Sequence, residues 1–170
     1  ETGADHYSKY ISKRDRTSRP IFSDAAAAVI LEKSETNKIG PFIFKTSGDG
    51  GDFLTVKNGN KELYMDGPAV LKFSLNLVPE ATHELLEKAN CKKEDIDTFI
   101  FHQASAVVLN KLKKKLDILD LQWFNQIENI GNTVSATIPI AISILQNENK
   151  FSYSKKYLLM GFGVGLSVAG

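Results

Sequence analysis

The 170-residue chain has a formal net charge of +1 and is 42% hydrophobic and 24% charged. This composition fits one globular domain, or one large half of a two-part fold, and lacks the basic excess that non-specific nucleic-acid binding requires. No apolar run approaches the roughly 20 residues that span a bilayer, and Glu1 to Asp5 do not open a signal peptide, so a cytoplasmic location off the membrane is expected.

The single cysteine excludes an internal disulfide, and no Cys/His spacing suits a structural zinc site, so no metal is expected. Residues 1–19 are polar and basic, with Lys13-Arg14-Asp15-Arg16-Thr17-Ser18-Arg19. Pro20 opens an apolar stretch from Ile21 to Glu32. Within it Ala25 to Ala28 favour a helix and Val29-Ile30-Leu31 a strand, which predicts a loop feeding a strand. Phe42-Ile43-Phe44 reads as a short strand. Ser47-Gly48-Asp49-Gly50-Gly51 reads as a loop, and Asn58-Gly59 as a hairpin or turn.

Val70 to Ala89 places Val70, Phe73, Leu77, Ala81, Leu85 and Ala89 at helical spacing. Pro79 should kink or divide that helix, because it removes a backbone donor. Thr98 to Phe101 reads as a buried strand with His102 at its C-terminal end. Ser105 is an N-cap candidate for a helix reaching about Leu116, with Val108, Leu109, Leu112 and Leu116 on one face. Thr133 to Leu145 predicts a buried helix with Pro139 in its first turns. Lys156 to Gly161 and Leu166 to Ala169 predict two strands joined by a glycine turn. Strands alternating with helices define an α/β layered domain.

Three features could carry chemistry. His102 sits where a strand hands over to a helix, a place where rigid elements hold catalytic groups, although a core histidine fits equally. Asn132, between Gly131 and Thr133, is a potential amide donor or a plain helix cap. Gly161-Phe162-Gly163-Val164-Gly165 could present backbone N–H groups to a ligand oxygen, or simply turn the chain. Cys91 lies in a polar link without a base and reads as a bystander. His6 and His83 read as surface residues. Lys111, Lys113, Lys114 and Lys115 form a basic helix face, solvated or facing an acidic partner.

Several segments occur in a telling order: Asp15-Arg16, Ile21 to Glu32, Tyr64-Met65-Asp66-Gly67 leading to Val70 and Lys72, Ile96-Asp97 through His102-Gln103-Ala104, Gly131-Asn132-Thr133, Ile138-Pro139, and Gly161 to Gly165. Together they make the chain resemble the β-ketoacyl-acyl carrier protein synthase III family. The resemblance implies a thiolase-like layered fold, one half with a mixed β-sheet packed by helices, plus a remnant of the other half. Residues 1–45 would be that remnant and 46–170 the C-terminal condensing-enzyme domain. The family's nucleophilic cysteine would precede this chain, leaving the chain alone inactive.

By the same resemblance, the complete enzyme moves an acyl group from acyl-CoA to cysteine. It then condenses that group with malonyl-acyl carrier protein, releasing carbon dioxide. No cofactor is implied beyond the CoA and phosphopantetheine thioester substrates. His102 and Asn132 match the family's active-site pair, and Val164 the backbone oxyanion position. Arg16 matches an arginine at the CoA mouth, while Lys72, Lys114 and Lys115 match carrier-docking positions. A homodimer is implied for the full-length protein. Val164 replaces a glycine for which a positive φ would disfavour valine. Alanines replace glycines near Asp24, Ser105 an asparagine and Val107 an arginine. Ser105, Val107 and Val164 leave open an ester- or amide-forming acyltransferase of the same fold, and the absence of a suitably placed cysteine leaves open a non-catalytic interaction domain.

Overall fold

The computed structural model describes residues 2–35, 39–56 and 61–170. The turn expected at Asn58-Gly59 lies outside the described residues. Strand β1 (Thr2–Asp5) pairs antiparallel with β2 (Ala25–Ala28), Thr2 opposite Ala28 and Asp5 opposite Ala25. The four alanines are therefore the strand, and Val29-Ile30-Leu31 lie beyond it. Helix propensity amounts to tenths of a kcal/mol per residue, and a partner strand that completes the backbone hydrogen bonds outweighs it. Strand β3 (Phe44–Thr46) begins two residues later than Phe42, although the Ile43 N–H already donates to the Gly170 carbonyl. In the stretch expected as a loop, Ser47 precedes a 3-10 segment, Gly48–Phe53, that takes in Gly48 to Gly51, and β4 (Leu54–Val56) pairs with β5 (Leu63–Met65).

Helix α1 spans Gly67–Lys88. The Asp66 carboxylate accepts the Ala69 N–H at 3.0 Å, and Pro68 occupies the first turn, where a missing donor costs nothing. The helix is not divided at Pro79. Proline leaves the carbonyl four residues back, Leu75, without its helical donor. The Lys115 ammonium takes that place, 2.6 Å from the Leu75 oxygen.

Strand β6 (Thr98–Phe101) and helix α2 (Ala106–Leu116) fall where expected. The Ser105 hydroxyl accepts the Val108 N–H, and Val108, Leu109, Leu112 and Leu116 are buried. The short helix α3 (Ile127–Ile130) and a 3-10 turn, Val134–Ala136, precede α4 (Thr137–Asn147). Strands β7 (Tyr157–Gly163) and β8 (Ser167–Ala169) close the sheet, whose order is β3-β8-β7-β6. Only the β6–β7 pair is parallel, so the sheet is mixed.

The sheet is covered on both faces. Phe99 and Phe101 of β6, with Leu158, Met160 and Phe162 of β7, join Val78 and Leu85 of α1 and Leu109 and Leu112 of α2 in the main core. Ile100 points the other way, to Phe124, Ala141 and Leu145, with Tyr157 and Leu159 alongside. Strict alternation splits each strand between the two cores, which explains an apolar run over Phe99 to Phe101 with no polar face. Among the described residues, no helix is long and apolar enough to cross a membrane.

Candidate active site

His102 follows the last residue of β6, and its N–H donates to Met160 of β7 at 2.8 Å, extending the parallel ladder by one rung. The residue is 9% exposed. Among the described residues its ring meets Phe162 edge-on, centroids 5.3 Å apart, and makes no hydrogen bond. Burial pushes the imidazole down to about 4, so at neutral pH it is uncharged and carries one N–H donor.

Gln103 fixes the chain just beyond. It is fully buried, its N–H donates to the Thr137 hydroxyl at 3.0 Å, and its amide nitrogen donates to Phe101 O at 2.9 Å. Its amide oxygen accepts the Gln126 N–H at 2.9 Å. These bonds tie the strand end bearing His102 to α4 and to the approach to α3. Sequence reading includes Gln103 in a motif without giving it this role; polarity inside an apolar strand-to-helix junction is the signal that points to it.

Asn132 reaches the same place from another loop. Its backbone is held on both sides by the segment before β2: the N–H donates to Ile21 O and the carbonyl accepts from Ser23 N, both at 2.8 Å. Preceding it, Gly131 has φ +68°, and a Cβ there would stand 2.2 Å from the Ser23 hydroxyl, so only glycine fits. The Asn132 amide orientation is determined by unlike partners. Its oxygen accepts the Val134 N–H at 3.0 Å, and its nitrogen donates to Ala104 O at 3.1 Å. A primary amide has two N–H groups, so one donor remains. The buried Thr133 hydroxyl has no partner among the described residues, and nothing in the structure accounts for that.

His102, Asn132 and Val164 line one open cavity of about 600 Å³, together with Tyr7, Phe22, Leu54, Met65 and Phe73. Tyr7 and Phe22 stack at 4.8 Å along one wall, and burial raises the Tyr7 hydroxyl above its usual range. Two uncharged donors from rigid elements thus face an apolar-walled space, an arrangement suited to stabilising a developing oxyanion. The positive φ in the glycine turn falls on Gly165, at +140°, and not on Val164, so valine is accommodated there.

The lysines and arginine of the expected carrier and CoA mouth do not line the cavity. Arg16, Lys72 and Lys114 are exposed, Lys72 sitting between the lining residues Leu71 and Phe73. Lys115 has its ammonium on the Leu75 carbonyl. Cys91 lies elsewhere, its thiol 3.4 Å from Ala89 O, in a small cleft beside Phe99 and Leu116. Among the described residues, no three metal-ligating side chains gather.

Fold and site together define a thiolase-like α/β unit with a histidine and an asparagine facing a shared cavity. A family model described as 3-oxoacyl-[acyl-carrier-protein (ACP)] synthase III C terminal matches residues 86–170, and one described as 3-oxoacyl-[acyl-carrier-protein (ACP)] synthase III matches residues 2–50. The chain is similar to the β-ketoacyl-[acyl-carrier-protein] synthase III of Staphylococcus aureus, 34% identical over 166 residues, covering 97% of this chain and 53% of that protein. It is 32% identical to that of Listeria monocytogenes, with the same coverage. A solved 3-oxoacyl-(acyl-carrier-protein) synthase III superimposes with TM-score 0.93 at 36% identity, over 99% of this chain and 58% of the other. The Aquifex aeolicus 3-oxoacyl-[acyl-carrier-protein] synthase III gives TM-score 0.93 at 31% identity, over 99% and 55%. The chain belongs to the 3-oxoacyl-[acyl-carrier-protein] synthase III family. It spans about half the length of the curated relatives it matches.

Proposed function

We propose that this chain forms the acceptor-activating side of a decarboxylative condensing site, and that a longer protein supplies the nucleophile. The observation that carries the reading is the pair of uncharged donors, His102 and the free N–H of Asn132, on one cavity. In this reading a malonyl thioester on acyl carrier protein enters the cavity. The bond between the α-carbon and the carboxylate breaks, carbon dioxide leaves, and the electron pair becomes a thioester enolate. His102 and Asn132 donate to the enolate oxygen, where charge develops, and need little reorganisation. The enolate carbon then attacks an acyl thioester delivered from acyl-CoA. The backbone N–H of Val164 is assigned to the resulting tetrahedral oxyanion, whose collapse expels the thiolate and leaves the 3-oxoacyl product on the carrier.

In the same proposal residues 1–45 belong to the first half of the longer fold and 46–170 to the second, a division that runs through β3. Arg16, Lys72 and Lys114 receive the anionic CoA and carrier protein, with Lys115 contributing only what its bond to Leu75 leaves. The full-length protein acts as a homodimer in the cytoplasm. Because Cys91 does not line the cavity, this chain alone does not turn over. Exposed Ile30, Leu31, Phe42 and Phe44 are consistent with a surface that a further domain covers.

The test supplies acyl-CoA and malonyl-acyl carrier protein to a full-length protein containing this chain and weighs the product. Condensation yields a 3-oxoacyl product with release of carbon dioxide. His102→Ala and Asn132→Ala each lower kcat by about 100- to 1000-fold, the usual effect of removing one oxyanion donor. Undiminished condensation in either variant refutes the assigned roles, and acyl transfer without carbon dioxide release points to an ester- or amide-forming enzyme instead.

A further inference from the structure

Asn132 can offer a donor to the cavity only while its amide keeps the observed orientation, which the Ala104 carbonyl fixes at its nitrogen and the Val134 N–H at its oxygen. Val134 has φ +50°, a left-handed conformation that a β-branched residue rarely adopts. Such a conformation persists where surrounding structure holds it. Strand β1 supplies the restraint. The Asp5 carboxylate accepts both the N–H of Ser135, at 2.9 Å, and the Ser135 hydroxyl. Two residues earlier, Gly3 lies flat against the same residue: a Cβ there would stand 2.8 Å from the Ser135 hydroxyl oxygen and 3.2 Å from its carbonyl carbon. A carboxylate and a missing side chain on one strand therefore meet one turn. The strand itself is anchored along its length to β2.

We propose that Asp5, with Gly3 beside it, is a positioning residue of the site: it holds the Val134–Ala136 turn so that the Asn132 amide keeps one N–H free for the cavity. The functional importance rests on the oxyanion-donor role of Asn132 proposed above, whereas the orientation itself can be measured without any activity.

The experiment uses the ¹⁵N-labelled chain and follows the side-chain NH₂ pair of Asn132, assigned by its disappearance in Asn132→Asp. In the unaltered chain the pair is expected to be shifted from free asparagine and to exchange slowly with solvent, since the amide is bonded at both its oxygen and its nitrogen. Asp5→Ala is expected to speed its exchange at least tenfold and to move it towards the free position. Asp5→Asn, which retains an acceptor oxygen, should recover most of the protection. Asp97→Ala serves as the control, since it also removes a carboxylate that accepts a backbone N–H, that of Lys156, at the far end of β6. It should leave the pair unchanged. An unchanged Asn132 pair in folded Asp5→Ala overturns the proposal, and so does an equal change in Asp5→Ala and Asp97→Ala. Should Asp5→Ala not fold, Gly3→Ala decides, since its Cβ would press on Ser135: faster exchange supports the clamp, and unchanged exchange overturns it. Failure of the condensation assay would refute the proposed function while leaving these exchange rates as they are.

Discussion

Between pH 7 and about pH 4, acidification should destabilise this fold chiefly through His102. Its imidazole titrates near 4 in the folded chain because burial disfavours the charged form, against about 6.5 when the chain is unfolded. Between those values the unfolded state binds a proton that the folded state does not, so stability rises with pH across that window. The contribution is nearly complete at pH 7 and is lost as pH falls towards 4. Linkage with these two values makes the loss from pH 7 to pH 5 about 2 kcal/mol, rising to roughly 3 kcal/mol at pH 4. Urea unfolding at pH 7 and pH 5, for the unaltered chain and for His102→Gln, isolates this term, since the other titrating groups cancel in the difference. Asp15, held down to about 2 chiefly by the Thr17 hydroxyl, acts only below about pH 4 and lies outside the window. Parallel pH profiles for the two proteins would refute the reasoning, as would an NMR titration placing His102 at or above 6.5. That titration also decides the matter if His102→Gln does not fold.

Other substitutions test the supports of the site. Gln103→Ala strands the Gln126 N–H and the Phe101 carbonyl in the interior, and should cost about 2–4 kcal/mol in urea unfolding. Gly131→Ala meets both a clash with Ser23 and a positive φ, and should cost about 2–3 kcal/mol; adding Ser23→Gly relieves only the clash, so recovery in thermal melts should be partial. Lys115→Met should cost about 1 kcal/mol, and much less in a Pro79→Ala background, where residue 79 regains the N–H that serves Leu75. Equal costs in both backgrounds would show that the lysine does not replace the missing helical donor.

Much of the site's framework is legible locally. Thr98 to Phe101 declare a doubly buried strand by being apolar at every position, Ser105 declares a helix start, and Val108, Leu109, Leu112 and Leu116 declare its inner face. Those signals place His102 at a strand end before any coordinate is known. The Asn132 motif likewise lies ahead of a helix. Its presence at the same cavity as His102 follows from the resemblance, since residue spacing carries no distance between separate loops.

Only the tertiary structure decides the rest. Ala25 to Ala28 form a strand because Thr2 to Asp5, twenty residues earlier, offer the backbone a partner, and local propensity cannot register a distant partner. The α1 helix survives Pro79 because an ammonium from another helix takes up the stranded carbonyl. The sequence by itself determined which segments alternate, which faces are apolar and which residues can donate a hydrogen bond. The structure decided which of those donors remain unspent. His102 stays neutral because the sheet and the helices around it exclude water, and Asn132 keeps one N–H because a neighbouring strand holds its loop in a conformation the chain would not choose alone.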